Sequence, residues 1–325
     1  MAAILVTGGA GYVGSHAVRE LERQGLHPLT FDNLSQGHRE AVLSGDFAQG
    51  DLADQKALDE VFASHSIDAV MHYASRCYVG ESMEDPQLYY EQNLGNLLAL
   101  LRSMRRHQVR KLVFSSSCAV YGNPTRIPID EEHPLAPVNP YGETKYFIER
   151  MLRHYDRAYG LRFVSLRYFN ACGASLDGRI GESHHPETHL IPRILGAARQ
   201  QGGSLPIYGD DYPTPDGTCI RDYIHVLDLA SAHLAAYRWL REGNPSEVFN
   251  LGTGTGYSVR QVVDGASRIT GRRISPEIFP RRAGDPPQLV CASGKARRIL
   301  GWAPRHSSLE TILETAWKWE CERCY

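Results

Sequence analysis

The sequence lacks any apolar run near the ~18 residues that a membrane-spanning helix requires, so no span is predicted. Its first residues also lack the charged segment, hydrophobic stretch and cleavage site of a secretion signal. The formal net charge is only -2, and both signs are mixed along the chain, which leaves no basic face for nucleic acid. We therefore expect a cytoplasmic protein without membrane or nucleic-acid partners.

Cysteine is scarce as well, with 7 residues scattered along the chain. An odd, dispersed set is typical of reduced thiols in a cytosolic protein. The C-x-x-C pair Cys321 and Cys324 lies near the end of the sequence and has no second ligand pair for zinc. His184, His185 and His189 lie close together, but they lack helical ligand spacing and carboxylate support. No metal site is predicted.

A glycine-rich turn follows the first apolar run. Residues 3–6 suit a buried parallel strand, and Gly8, Gly11 and Gly14 after them have G-x-x-G-x-x-G spacing. The first glycine permits a tight turn, the second lets the backbone approach a pyrophosphate, and the third lets the next helix pack closely. The N-terminus of that helix, predicted over 15–24, then faces the phosphates. This order predicts a dinucleotide-binding unit.

An acidic residue ends the second predicted strand, which covers 28–31 and is followed by Asp32. A carboxylate at this place accepts hydrogen bonds from the adenosine ribose hydroxyls and repels a 2′-phosphate. The sequence therefore predicts NAD rather than NADP as the cofactor.

Strands and helices continue to alternate after Asp32. Strands are predicted around Phe47, over 68–74 and over 111–114, and the last of them leads into a run of three serines that ends at Ser117. In an open parallel sheet, ligands lie at the carboxyl ends of the strands, so residues at these ends converge on one crevice.

The alternation breaks down near residue 170, where proline and glycine become frequent. We predict an α/β fold with a Rossmann-type doubly wound parallel sheet and a smaller mixed α/β substrate lobe. The predicted NAD-binding domain covers 1–170, with a return of the chain near 218–250, and the lobe covers 171–325.

A tyrosine and a lysine four residues apart are the main catalytic candidates. Asn139 and Pro140 signal a helix start, so Tyr141 and Lys145 share one helix face. Lowering a tyrosine pKa from ~10 to about 7 requires roughly 4 kcal/mol, more than an exposed ion pair supplies. A second cation is needed, and an oxidised nicotinamide ring would be one. Ser117 would hydrogen-bond the same substrate oxygen.

Two arginines of the second half, Arg221 and Arg282, are candidates for gripping a diphosphate through bidentate hydrogen bonds. Spacing alone leaves open that either is an ordinary surface arginine. A long helix predicted over 86–107 has an apolar stripe too wide for one packing face. One side of it would cover the sheet, and the other could meet a second subunit.

Taken together, these stretches resemble the extended short-chain dehydrogenase/reductase superfamily, and within it the family of UDP-glucose 4-epimerases. The likeness extends from the glycine turn to Trp319, essentially the whole chain. Its most specific segments are 8–16, 79–82, 115–122, 139–145, 166–170, 186–192, 208–225 and 282–285.

The resemblance implies NAD-dependent 4-epimerisation of a UDP-hexose through a transient 4-keto sugar, and a homodimer. It implies Tyr141 as the base, Lys145 as the residue that holds the nicotinamide ribose, and Ser117 as a hydrogen-bond partner of the sugar 4-oxygen. The expected cofactor contacts are Gly8, Gly11, Tyr12, Val13, Gly14, Asp32, Asn33, Asp51, Leu52, Tyr73, Ala74, Ser75, Asn93, Ser115, Tyr141, Lys145 and Tyr168. The expected substrate contacts are Ser117, Asn170, His189, Leu190, Pro206, Tyr208, Arg221, Arg282, Asp285 and Leu289.

Several alternatives remain open at this point. A nucleotide-sugar 4,6-dehydratase would carry an Asp-Glu pair after the serine, where this chain has Cys118 and Ala119. A preference for N-acetylated sugars or pentoses is open because Leu289 is of intermediate bulk. A non-catalytic NAD-sensing protein would usually lose the tyrosine or the lysine. Cys77 stands where well-known relatives have a lysine that contacts the cofactor.

Overall fold

The computed structural model describes residues 2–200, 204–282 and 284–325. Its strands are β1 (Ala3–Thr7), β2 (His27–Asp32), β3 (Asp46–Gln49), β4 (Ile67–His72), β5 (Lys111–Ser117), β6 (Arg162–Tyr168), β7 (Asn170–Cys172), β8 (Ser204–Tyr208), β9 (Ile220–His225), β10 (Glu247–Leu251), β11 (Gly256–Ser258), β12 (Ser275–Phe279) and β13 (Gln288–Leu289). Its α-helices are α1 (Tyr12–Arg23), α2 (Gln55–Ser64), α3 (Val79–Glu84), α4 (Pro86–Tyr89), α5 (Asn96–Arg106), α6 (Pro140–Tyr159), α7 (Leu190–Arg199), α8 (Val226–Arg241), α9 (Val259–Thr270), α10 (Gly294–Leu300) and α11 (Leu309–Glu322).

The large sheet has seven strands in the order β3-β2-β1-β4-β5-β6-β10, and all of its pairs are parallel. Helices α2, α5 and α6 pack on one face, and α1 and α8 pack on the other. Parallel strands are buried on both faces, which explains continuous apolar runs such as Ile4-Leu5-Val6. The predicted α/β class with a parallel sheet is confirmed.

The smaller lobe is built around β9. Strand β11 pairs antiparallel with β9, whereas β13 and β7 pair parallel with it. Strands β8 and β12 form a separate parallel pair. Helices α7, α9 and α11 enclose a core of their own that includes Ile194, Val262 and Leu313. The chain returns from this lobe through α8 and β10, which completes the edge of the large sheet beside β6, and again through α10, which packs on α8 and β10.

Two helix boundaries differ from the sequence prediction. Helix α1 begins at Tyr12, three residues earlier than expected, because Gly11 is extended and takes the N-cap position. The long helix expected over 86–107 is interrupted by a π-helical segment, Tyr90–Gly95, between α4 and α5. On α5, Leu97 is buried while Leu98 is 42% exposed, so one side of the apolar stripe lies in the core and the other faces away from it.

None of the helices in the described ranges combines the length and apolar character that a membrane crossing demands.

A buried ion pair fastens α6 to the sheet. The guanidinium of Arg167 on β6 donates to both carboxylate oxygens of Glu149 at 2.9 and 2.5 Å, and each side chain is 2% exposed. Ser116 of β5 donates to the same carboxylate at 2.7 Å. Tyr121 accepts a hydrogen bond from Arg167 at 2.9 Å. Glu149 lies eight residues after Tyr141, so this network holds the helix that carries the catalytic candidates.

We predict that Arg167→Met lowers the free energy of unfolding by about 3–5 kcal/mol, because it leaves the Glu149 carboxylate buried without its cation. The matched control is Arg162→Met on the same strand. Arg162 pairs with Asp156 at 3.1 Å while remaining 51% exposed, so its loss should cost less than about 1 kcal/mol. Denaturant unfolding of both variants measures the difference, and equal losses would contradict the prediction.

Candidate active site

The glycine turn lies between β1 and α1 and leaves no room for side chains. Gly8 has φ 75°, and a Cβ there would lie 2.5 Å from the backbone nitrogen of Ala74. A Cβ on Gly14 would lie 2.2 Å from the carbonyl oxygen of Gly8. The backbone can therefore approach a ligand closely at this turn, at the N-terminus of α1. This is the arrangement that a pyrophosphate requires.

The acidic candidates lie at the ends of β2 and β3. Asp32 accepts hydrogen bonds from the backbone N–H groups of Ala10 and Leu34, each at 2.9 Å. Burial raises the pKa of its carboxyl, while these two donors lower it. The amide of Asn33 donates to Asp51 at 2.7 Å. Asp32 thus hydrogen-bonds both the glycine turn and the loop that follows β2. Asn33 and Asp51, which follow the ends of β2 and β3, are hydrogen-bonded to each other next to it.

The segment after β4 is fixed by Asn93, which lies in the π-helical segment. Its side-chain oxygen accepts from the N–H of Arg76 at 2.8 Å, and its amide donates to the carbonyl of Arg76 and to Thr144 Oγ1, each at 3.1 Å. Tyr73 and Ala74, which precede this segment, both donate backbone hydrogen bonds to Thr7. Asn93 therefore joins the β4 loop to α6, the helix of Tyr141.

The tyrosine and lysine candidates lie side by side against the end of β5. Asn139 caps α6 by accepting from the N–H of Gly142 at 2.8 Å, as the sequence indicated. The ammonium of Lys145 donates to the carbonyl oxygen of Ser115 at 2.9 Å and lies 5.7 Å from the ring centroid of Tyr141. The hydroxyls of Ser115 and Tyr168 are 2.6 Å apart.

Burial controls the electrostatics of this pair. It raises the pKa of Tyr141 well above its usual value, and a hydrogen bond with Ser117 offsets only part of this effect. Burial also lowers the pKa of Lys145 to about 8. In the protein alone, the phenol of Tyr141 is therefore neutral, and the ammonium of Lys145 beside it loses its proton more readily than usual. A phenolate here needs a further positive charge next to the ring, as the sequence reasoning required.

The candidates for a diphosphate clamp gather in the smaller lobe. Arg221 donates to Asp285 at 2.6 Å, and the guanidinium of Arg282 lies 4.0 Å over the ring of Tyr208. The pKa of Tyr208 is lowered by Arg282 first and then by Arg193. Leu289 is the register partner of Arg221 on the neighbouring strand. Five of the ten predicted substrate residues are therefore paired with one another in this part of the lobe.

The remaining candidates lie on elements of the sheet domain and of the lobe. Asn170 opens β7 and donates to the carbonyl of Asp222 at 2.9 Å. Leu190 is the first residue of α7, and Pro206 lies within β8. Tyr12 donates from its hydroxyl to the carbonyl of Gly173 at 2.6 Å, which connects the glycine turn to the lobe. The other cofactor candidates stand at strand ends or helix starts: Val13 at the start of α1, Leu52 after β3, and Ser75 after β4.

One part of the sequence analysis is wrong. It expects no carboxylate support for His184 and His189, but both contact acidic residues. The Nδ1 of His189 lies 2.7 Å from Glu182 and 3.2 Å from Glu187, and the Nδ1 of His184 lies 3.2 and 3.6 Å from the same two residues. Burial lowers the pKa of His184, but these carboxylates outweigh it and raise the pKa to about 10. His185 is exposed and outside the cluster.

Sequence reasoning also missed residues that act through tertiary contacts. Arg193 reaches Tyr208 from α7, and the only signal for it was its place one turn after Leu190. Thr144 is the partner of Asn93, and Glu149 and Arg167 form the buried pair behind the site. Each of these contacts joins residues distant in sequence, so no local pattern could reveal it.

The strand order and the glycine turn define a dinucleotide-binding enzyme with a Rossmann-type sheet. The chain belongs to the NAD dependent epimerase/dehydratase family, whose model matches residues 4–252. It is 52% identical over 320 residues to the UDP-glucose 4-epimerase of Halalkalibacterium halodurans, covering 98% of this chain and 96% of that one.

Solved structures agree with this assignment. The UDP-glucose 4-epimerase from Brucella ovis in complex with NAD is 50% identical, with a TM-score of 0.95 and 98% of each chain covered. The enzyme from Bifidobacterium longum in complex with NAD+ and UDP is 37% identical, with a TM-score of 0.93 over 99% of this chain and 98% of that one. The likeness thus extends over both the sheet and the lobe.

The geometry of the glycine turn generates a test with an internal control. Gly8→Ala and Gly25→Ala both place a side chain at positive φ, 75° and 70°, which costs about 1–2 kcal/mol in each case. A Cβ on Gly8 would lie 2.5 Å from the backbone nitrogen of Ala74, whereas nothing lies within 4 Å of a Cβ on Gly25. We expect Gly8→Ala to lose bound dinucleotide and more stability than Gly25→Ala, measured by absorbance at 260 nm and denaturant unfolding. Equal losses of dinucleotide and of stability in the two variants would show that the turn is not tightly packed.

Proposed function

We propose that this chain catalyses the NAD-dependent 4-epimerisation of a UDP-hexose, interconverting UDP-glucose and UDP-galactose. The observation that carries the proposal is the buried pair of Tyr141 and Lys145 at the end of β5, on the same sheet edge as the glycine turn. Relatives that are 52% and 50% identical to the chain, and that cover 98% of it, are named UDP-glucose 4-epimerases. The enzyme is accordingly an isomerase.

Bound NAD supplies a hydride acceptor that later returns the same hydride to C4 of the sugar. Tyr141 removes the proton from the 4-hydroxyl as the hydride leaves, which gives a 4-keto sugar. Ser117 hydrogen-bonds the 4-oxygen and orients the proton transfer. Lys145 holds the nicotinamide ribose while its ammonium stays near the Tyr141 ring. Because a ketone is flat at C4, return of the hydride to the other face of C4, with return of the proton to the 4-oxygen, inverts the configuration.

The electrostatics of Tyr141 suit this two-way proton transfer. Its phenol is held neutral by burial, so its ionisation depends on the charge of the neighbouring ring. Each pKa unit corresponds to about 1.4 kcal/mol of interaction with that charge. Tyr141 is therefore a stronger acid beside the oxidised, positively charged ring and a weaker one beside the neutral reduced ring. It takes up the proton when the sugar is oxidised and returns it when the ketone is reduced.

The smaller lobe holds the nucleotide end of the substrate. Arg221 and Arg282 bind the diphosphate, with Arg221 oriented by Asp285 at 2.6 Å. Asn170, Leu190 and the strand of Pro206 and Tyr208 complete the nucleotide pocket, with His189 and Leu289 at its sugar end. Residues 1–170 with the return near 218–250 bind NAD, and 171–325 bind the UDP-sugar. Binding energy then resides in UDP, so the sugar is free to turn.

The proposal is tested by incubating the purified protein separately with UDP-galactose, UDP-N-acetylgalactosamine and UDP-arabinose, without added NAD. We expect conversion of UDP-galactose to UDP-glucose, since NAD is regenerated in every turnover and stays bound. Conversion of the acetamido sugar alone would replace the hexose assignment, and loss of the 6-oxygen would indicate a dehydratase.

Replacing the base separates catalysis from cofactor binding. We predict that Tyr141→Phe lowers kcat by about 10²–10⁴-fold, the contribution of a positioned acid or base, while bound NAD remains. Tyr146→Phe is the matched control, because Tyr146 lies on the same helix five residues later and makes no contact proposed for catalysis. Steady-state kinetics and absorbance of the bound dinucleotide report the two properties. Full activity of the Tyr141→Phe variant would remove the base assignment.

The diphosphate clamp is tested at two adjacent arginines. We expect Arg282→Gln to raise KM for the UDP-sugar by about 10–100-fold, because a charge-assisted hydrogen bond contributes roughly 1.5–3 kcal/mol. Arg281→Gln is the control, since Arg281 pairs with Asp211 on the surface at 2.6 Å. Initial rates over a range of substrate concentrations give both constants. A larger effect at Arg281 would reverse the assignment.

We further propose a homodimer and a cytoplasmic location. Large apolar side chains are exposed on α3 and α6, which pack together, with Met83 on α3 and Phe147 on α6, and Leu98 of α5 is exposed as well. Such a cluster is typical of an interface. All seven cysteines are free, which suits a reducing compartment. Light scattering that gives the mass of one chain, or cell fractionation that places the protein outside the cytoplasm, would exclude the respective proposal.

A further inference from the structure

Strand β9 carries a carboxylate that none of the roles proposed above uses. The side chain of Asp222, next to Arg221, is fully buried. Its Oδ1 accepts hydrogen bonds from the N–H and the hydroxyl of Thr253, at 2.9 and 2.7 Å. Its Oδ2 accepts from the N–H groups of Gly254 and Cys291, at 2.9 and 3.1 Å. One buried carboxylate therefore holds four donors.

These donors belong to two separate parts of the chain. Thr253 and Gly254 follow β10, which is the edge strand of the large sheet, and Cys291 follows β13 of the smaller lobe. Asp222 itself lies on β9, the strand around which the lobe is built. Its carboxylate thus joins the large sheet to the lobe. The junction is tight, because a Cβ on Gly252 would lie 2.8 Å from Oδ2 of Asp222.

Residues of the proposed substrate pocket lie next to this junction. Arg221 precedes Asp222 on β9, and its register partner Leu289 lies two residues before Cys291. The amide of Asn170 donates to the backbone carbonyl of Asp222 at 2.9 Å. Side chains alternate along a strand, so the carboxylate of Asp222 and the guanidinium of Arg221 lie on opposite faces of β9. The carboxylate therefore points away from the group that would bind the diphosphate.

The carboxylate of Asp222 is poorly explained as a stabilising group. Its four partners are neutral, namely three backbone N–H groups and one hydroxyl. Burial raises the pKa of this carboxyl, and the donors offset only part of that effect. Since the pKa in the folded protein lies above that in the unfolded chain, ionisation at neutral pH costs the folded protein stability. What the four hydrogen bonds supply is direction, because each of them fixes the place of its donor.

We propose that Asp222 is a positioning residue for the UDP-sugar site, an inference that rests on the function proposed above. It holds β9 and the segment of Cys291 against the loop that follows β10, and so fixes Arg221, Leu289 and Asn170 relative to one another. In this role the carboxylate contacts neither the nucleotide nor the sugar. Its loss weakens binding of the UDP end and leaves the reacting groups of α6 in place.

The isosteric variant Asp222→Asn tests this role, because in either orientation its NH₂ group faces at least one backbone N–H that needs an acceptor. We expect the dissociation constant for UDP to rise about 10–100-fold, since an error of ~1 Å in the place of a binding group has effects of that order. Calorimetry on the full-length protein with its bound dinucleotide measures it. KM for the UDP-sugar should rise likewise, whereas kcat should change less than about 3-fold, which marks lost binding rather than lost chemistry.

Asp228 on α8 provides the matched control. It is also a buried aspartate, and it accepts hydrogen bonds from the N–H groups of Arg305 and His306 and from the hydroxyl of Ser307, at 2.8, 2.9 and 2.6 Å. That segment contains none of the ten predicted substrate residues. We expect Asp228→Asn to lower the thermal midpoint, as Asp222→Asn does, but to bind UDP as the wild type does. Equal losses of UDP affinity in the two variants would overturn the proposal.

A milder variant answers the same question if Asp222→Asn fails to fold by circular dichroism. Thr253→Val keeps the backbone donor and removes only the hydroxyl, so the dissociation constant for UDP should rise about 2–10-fold, the contribution of one hydrogen bond. Wild-type affinity for UDP in the folded variant would overturn the positioning role alone. A wild-type protein that binds no UDP would instead overturn the proposed function, and this inference with it.

Discussion

The rest of the site depends on the burial of helix α6 against the sheet. This helix carries Tyr141 and Lys145 on one face and Glu149 two turns later, and Glu149 is held by Arg167 at 2.5 Å. A buried, bidentate pair leaves little freedom of rotation or translation to the helix that contains it. The same helix is also held through Thr144 by Asn93. The catalytic candidates are therefore positioned by contacts that never touch the reactants.

The same burial makes the site dependent on its ligand. Desolvation raises the pKa of Tyr141 and lowers that of Lys145, so both charged forms are disfavoured in the protein alone. A base that is active without its cofactor would be able to abstract protons unproductively. In the proposed reaction, the phenol stays neutral until a positive ring lies beside it. The ionisation that starts the reaction and the presence of the electron acceptor are thereby coupled through one interaction.

Local features were predictable from sequence, and long-range ones were not. The glycine spacing, the acid after β2 and the capped Tyr–Lys helix follow from short-range sterics and helix periodicity, and the α/β class derived from them is confirmed. The pair of Glu149 and Arg167, and the junction of Asn93 with Thr144, join residues 18 and 51 positions apart. The carboxylates around His184 were missed because a loop, without helical period, brings them together. The assigned roles of individual site residues remain predictions.

The two halves of the cleft are built by different physical means, and the proposed reaction requires that difference. The dinucleotide half is shaped by backbone, since glycines at 8 and 14 admit no side chain without overlap. Such a surface holds one ligand in one pose. The lobe half relies on long side chains such as Arg282, which lies over Tyr208 and can adjust with its ligand. An epimerase needs a stationary hydride acceptor and a sugar that presents both faces to it. The backbone cradle together with the proposed nucleotide clamp would satisfy both requirements at once.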